Sequence, residues 1–166
     1  MTLIGCLSFE EVYLFIDLSK NVGEVRYVNI VSDSADEETI KGDFQALIDL
    51  VYYDKDSNEG AVEFISKKLY RKGTQLNGTI KFSFKEPETA LNEFNIKIAD
   101  NKYVYEMGAD EVYKGGNGKY SEHNSKKAVK WDKQSKTIEL EIRSASFDKT
   151  KTTSLLSHWL EWRKIR

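Results

Sequence analysis

One cysteine among 166 residues rules out an internal disulfide, so whatever holds this chain together is not a covalent staple. One proline leaves little to interrupt long strands or helices. Neither sign of charge dominates: 25 Lys and Arg face 27 Asp and Glu, and a net charge of −2 provides no overall basic field to gather nucleic acid. No apolar run approaches the 18 residues of a spanning helix. There are only two histidines, no Gly-x-Ser-x-Gly turn, no Gly-Lys-Ser/Thr phosphate loop, and no zinc or calcium spacing, so nothing here requires a metal or a cofactor. Internal repeats and low-complexity tracts are also missing. None of these absences prevents folding, because a chain of this length removes about 70% of its unfolded surface from water.

What the chain does have is aromatic and alternating. Eight Phe, nine Tyr and three Trp suit paired strands. In residues 11–18, Val12, Leu14, Ile16 and Leu18 fall on one face and Tyr13 and Phe15 on the other; residues 24–31 return after a turn at Ser19-Lys20-Asn21-Val22-Gly23, which reads as a hairpin. Ser34 and Glu37 have the spacing of a capping box, followed by a helical stripe of Ile40, Phe44, Leu47, Ile48 and Val51 opposite a polar face of Lys41, Asp43, Gln45 and Asp49. Residues 54–60 read as a polar connector. β character resumes from Val62 to Leu76, and Asn77-Gly78 predicts a type I′ hairpin turn into a strand bearing Ile80, Phe82 and Phe84. Pro87 opens a short helix over 86–94. Strands at 95–99 and 102–107 flank a tight turn at Asp100-Asn101, and a last hairpin is expected across 133–136. Leu155, Leu156, Trp159, Leu160 and Trp162 give the C-terminal helix its apolar side. The expectation is an α+β fold: one mostly antiparallel sheet built from hairpins and packed against two main amphipathic helices, about 34–52 and 151–165. Residues 1–8 are expected to be a loosely packed leader and 9–166 a single domain.

Candidate chemistry concentrates in residues 108–127, the longest stretch without a period, read as a loop of functional length. Asp110, Glu111, Asn117, Glu122 and His123 are its candidate ligand-binding residues, since a histidine among carboxylates can shuttle protons or hold a cation. Solvation is the simpler account of His123, and Gly115-Gly116-Asn117-Gly118 reads as a flexible loop tip. His158 is expected at the margin of a buried helix face. The basic run at 67–72 splits across two strand faces, and Trp131, Trp159 and Trp162 read as core. No catalytic residue is identified.

Leu3-Ile4-Gly5-Cys6 places a small residue before a cysteine and an apolar one upstream, the order a lipoprotein signal peptidase needs in order to cut ahead of an acylated thiol. With this element and the strand-to-helix run VRYVNIVSDSADEETIKGDFQALI, the first fifty residues resemble small uncharacterised bacterial lipoproteins. The resemblance implies acylation of Cys6, several acyl chains and stable attachment to a membrane surface without a spanning helix. It implies no activity. The reading that follows is a non-enzymatic, lipid-anchored domain of a bacterial cell envelope that binds a protein or an envelope component. A cytosolic interaction protein, such as a toxin-neutralising immunity protein, is the alternative; a hydrolase or metal-dependent enzyme using residues 108–127 is the third.

Overall fold

Alternation in the first fifty residues does produce a hairpin. In the computed structural model, which describes residues 7–53 and 62–165, β1 (Leu7–Asp17) pairs antiparallel with β2 (Val22–Ser32). The turn between them is closed by Asp17, whose carboxylate accepts hydrogen bonds from the Ser19 N–H and hydroxyl and from the Lys20 N–H, while Asn21 takes a left-handed φ of 55°. β1 begins at Leu7, inside the stretch expected as leader: Leu7 is buried and pairs with Ser32. Cys6 and the rest of Met1–Gly5 lie outside the described residues, as does the connector at 54–60.

α1 (Glu37–Ile48) buries Ile40, Leu47 and Ile48 as its period requires and runs on into a π-helical turn, Asp49–Tyr53. Two details differ from expectation. The N-cap is Asp36, whose carboxylate accepts from the Thr39 N–H, so Ser34 lies two residues too early and instead accepts from the Asp36 N–H. Asp43, expected on the wet face, is buried and accepts a 2.5 Å hydrogen bond from the Ser32 hydroxyl. A carboxylate beside a buried serine is satisfied indoors, which periodicity alone does not reveal.

β3 (Val62–Lys72) and β4 (Gln75–Phe84) form the next hairpin, and its turn is not at Asn77-Gly78. Gly73, at φ 61°, makes the turn, and Asn77 and Gly78 sit inside β4. The buried Asn77 side chain accepts from the Asn29 N–H, where β2 departs from extended geometry at φ 56°. A Cβ on Gly78 would stand 3.0 Å from Ile30 Cδ1. Both residues serve packing between strands, a use that looks the same as a turn signal in the sequence.

α2 (Pro87–Glu93) buries Ala90 and Leu91 and leads into the β5 (Ile96–Ala99) and β6 (Lys102–Met107) hairpin, whose turn residues Asp100 and Asn101 both take positive φ. β7 (Glu111–Gly116), β8 (Lys119–His123), β9 (Lys126–Asp132) and β10 (Thr137–Ser144) follow, then the two-residue β11 (Thr153–Ser154) and α3 (Leu156–Lys164). α3 begins later than the expected position near 151, because Thr153 and Ser154 pair with β2 first.

The strands form two antiparallel sheets. The larger runs β3-β4-β2-β1-β10-β7, with β11 beside β2, and the smaller runs β5-β6-β9-β8. Residues 133–136 therefore do not close a hairpin: β9 pairs with β6 and β8, β10 pairs with β1 and β7, and the turn carries the chain from one sheet to the other. Sheet dominates the fold, and the helices are short. One core lies between the sheets, where Leu14, Ile16, Phe82, Phe84 and Ile138 of the larger meet Ile96, Tyr103, Val129 and Trp131 of the smaller. A second joins Leu7, Ile30, Leu69 and Leu76 to α1 and α3. Leu76, Gly78, Ile80, Phe82 and Phe84 alternate on one face of β4, so a single sheet face is covered by helices at one end and by the small sheet at the other.

Candidate functional site

Residues 108–127 are mostly strand, not loop. β7 is an edge of the large sheet and β8 an edge of the small one, so neither has a continuously buried face whose alternation would announce it. The glycine-rich tip between them is a closely packed crossing point. Gly116, at φ 136°, lies so near β10 that a Cβ would stand 2.1 Å from the Glu139 carbonyl oxygen, and a Cβ on Gly118 would meet Val129 and Trp131 at 2.5 and 2.6 Å. Asn117 pins the crossing: its amide donates to the Thr137 carbonyl and hydroxyl, and its oxygen accepts from Trp131 Nε1 at 2.7 Å and from the Glu139 N–H at 2.9 Å. Every hydrogen-bonding atom of that side chain is engaged within the fold.

The other four candidates separate. Glu111 turns toward the space between the sheets, accepting from the Tyr105 hydroxyl at 2.9 and 3.1 Å and from the Gly108 N–H at 2.8 Å. Burial first, then the Glu111 charge, raises the Tyr105 phenol well above its ordinary value, so it stays protonated and donating. Glu122 accepts from the Tyr120 hydroxyl. Asp110 is exposed, and its carbonyl accepts from the Ala145 N–H. His123 ends β8 opposite Lys126, on the outer face of the small sheet. Glu111 and His123 thus line different concavities, and no group of three or more metal-binding side chains forms among the described residues.

The outer concavity is a groove of about 620 Å³ across the small sheet. Pairing of β5, β6, β9 and β8 aligns Lys97, Lys102, Lys119, Lys126 and Lys130 on this face, with Asp100, Glu106 and Asp132 as the opposing charges; Lys102, Lys126 and Lys130 line the groove itself, and Lys97 and Lys119 flank it. Ala99, Val104, Ser121 and Ala128 leave its floor shallow and uncharged. Lys102 lies 3.7 Å from Asp132, and among the described residues no ion pair engages Lys97, Lys119, Lys126 or Lys130. The sequence carries part of this signal, since Lys126 and Lys130 stand four residues apart and so share one face of β9, but only the strand order sets Lys97, Lys102 and Lys119 beside them.

The inner concavity is a cavity of about 210 Å³ at one end of the core between the sheets. Val12, Leu14, Val25, Leu140 and Ile142 of the large sheet form its floor, Phe94 and Tyr105 face them, and Glu93, Asn95 and Glu111 are its polar residues. Phe9 and Tyr27, rings 5.2 Å apart, separate it from an apolar void of about 30 Å³ beneath α1. Burial pushes the Tyr27 phenol up to about 12.

No helix among the described residues is long and apolar enough to cross a membrane. No family model, curated protein or solved structure matches this chain.

Proposed function

We propose that this chain is a non-enzymatic binding domain, tethered by acylated Cys6 to the surface of a bacterial envelope membrane, that docks an acidic protein partner on the outer face of its small sheet. The observation carrying the docking half is the alignment of five lysines against three carboxylates around an uncharged floor. An unneutralised cationic face attracts a complementary anionic surface and accelerates its encounter. A groove of about 620 Å³ with small residues on its floor admits an extended peptide segment or the edge of a protein surface. The tether rests on the order Leu3-Ile4-Gly5-Cys6.

The two halves are tested separately. Titration with a synthetic Glu- and Asp-rich peptide is expected to show saturable binding that weakens as salt rises and is lost in a Lys126→Glu/Lys130→Glu variant. Unchanged affinity in that variant, or binding to anionic vesicles with no binding to the peptide, would overturn the docking proposal. Mass spectrometry of the protein expressed from its full gene is expected to find acyl chains on Cys6; an unmodified thiol would overturn the tether.

A further inference from the structure

The cavity between the sheets has no role in the docking face, and its lining has a chemistry of its own. Its wall is apolar over Val12, Leu14, Val25, Leu140 and Ile142, residues contributed by three neighbouring strands of the large sheet. Its charged residues are of one sign, the carboxylates Glu93 and Glu111; Asn95, Tyr27 and Tyr105 are its neutral polar residues. Glu111 is held in place by the Tyr105 hydroxyl and the Gly108 N–H, while Glu93 is exposed at the end of α2. Lys127 of β9 donates its ammonium to the backbone carbonyls of Ala109 and Glu111, and among the described residues no lysine or arginine lines the cavity. At about 210 Å³ the space is below the roughly 300–1,000 Å³ of drug-sized sites.

We infer that this cavity is a binding site for a small aliphatic amine in its ammonium form, the alkyl body lying on Val12, Leu14 and Ile142 and the ammonium meeting Glu93 and Glu111. An apolar pocket with a few convergent polar groups binds by shape and is oriented by charge. A carboxylate already fixed by two donors loses little side-chain freedom when it accepts a third. Water filling the apolar part has no partners on the floor, so an alkyl chain replaces it favourably.

The experiment is a titration of the intact protein with n-hexylammonium, n-hexanol and hexanoate, followed by chemical shifts of the cavity methyl groups. Hexylammonium is expected to bind saturably and more tightly than hexanol, and hexanoate least. Glu93→Gln, an exposed change that leaves the fold intact, is expected to weaken hexylammonium by about twofold to fivefold and leave hexanol unaffected. Val12→Phe is expected to eliminate binding of all three by filling the floor, with Ile142→Phe replacing it should that variant not fold. Equal binding of hexanoate and hexylammonium, or retention of binding in the filled variants, would overturn the proposal, as would the absence of saturable shifts with any of the three.

Discussion

Asn117 shows how one side chain can stand in for a missing length of backbone pairing. Where the chain leaves the large sheet for the small one, strand ladders stop, and the Glu139 N–H and Trp131 Nε1–H each need an acceptor; the Asn117 oxygen supplies both. Asn117→Ala removes that oxygen and is expected to lower stability by about 1–3 kcal/mol in urea unfolding. Asn117→Asp keeps the acceptor but sets a carboxylate oxygen against the Thr137 carbonyl, so it too is expected to be less stable than the parent at neutral pH. In the sequence this residue is one letter of a glycine-rich run, and such a run reads as a flexible tip. What distinguishes Gly116 is not composition but the 2.1 Å that would separate its Cβ from the Glu139 carbonyl. Close approach of two backbones depends on the partner strand, and the partner lies more than twenty residues away.

Among elements, the first hairpin was the most legible, because turn chemistry and alternation agree there. Ser19 and Lys20 draw the Asp17 carboxyl below the usual aspartate range through hydrogen bonds to the Ser19 hydroxyl and the Lys20 N–H, outweighing the opposing effect of burial. A lowered folded-state value means the folded chain binds fewer protons than the unfolded one in that window. The turn's contribution is therefore complete above the unfolded value of about 3.9 and is lost as pH falls through the lower folded value. Thermal unfolding followed from pH 6 downward is expected to show a declining midpoint below about pH 4, and Asp17→Asn should be less stable than the parent at neutral pH yet decline less steeply in acid. α1 was legible in its stripe and not in its start: Ser34 and Asp36 are both good capping types, and which one caps depends on where the chain leaves β2. The β3–β4 turn falls at Gly73 and not at Asn77-Gly78, although both satisfy local turn rules. Asn29, forty-eight residues before Asn77, favours the observed register, because its N–H donates to the Asn77 side-chain oxygen Oδ1.

At the scale of the whole molecule, the two sheets share one core, and this makes their stabilities inseparable. Val129 lies fully buried in the small sheet among residues of both. Val129→Ala is expected to cost about 2 kcal/mol, and amide exchange should accelerate as much in β1 and β2 as in β6 and β9. Acceleration confined to the small sheet would show that it opens alone. Sequence by itself determined the class of the fold, the faces of the strongest strands, the stripe of α1 and the existence of the C-terminal helix, because each of these follows from a local period meeting water on one side and apolar neighbours on the other. Tertiary structure alone decided which strands pair, that β9 and β10 belong to different sheets, that Asp43 is indoors, and that Glu111 and His123 look into separate concavities. The physical reason is the same in each case: a period-two pattern records which side of a strand is buried but carries no mark of its partner. The lysine-lined groove and the apolar cavity are both made by partners.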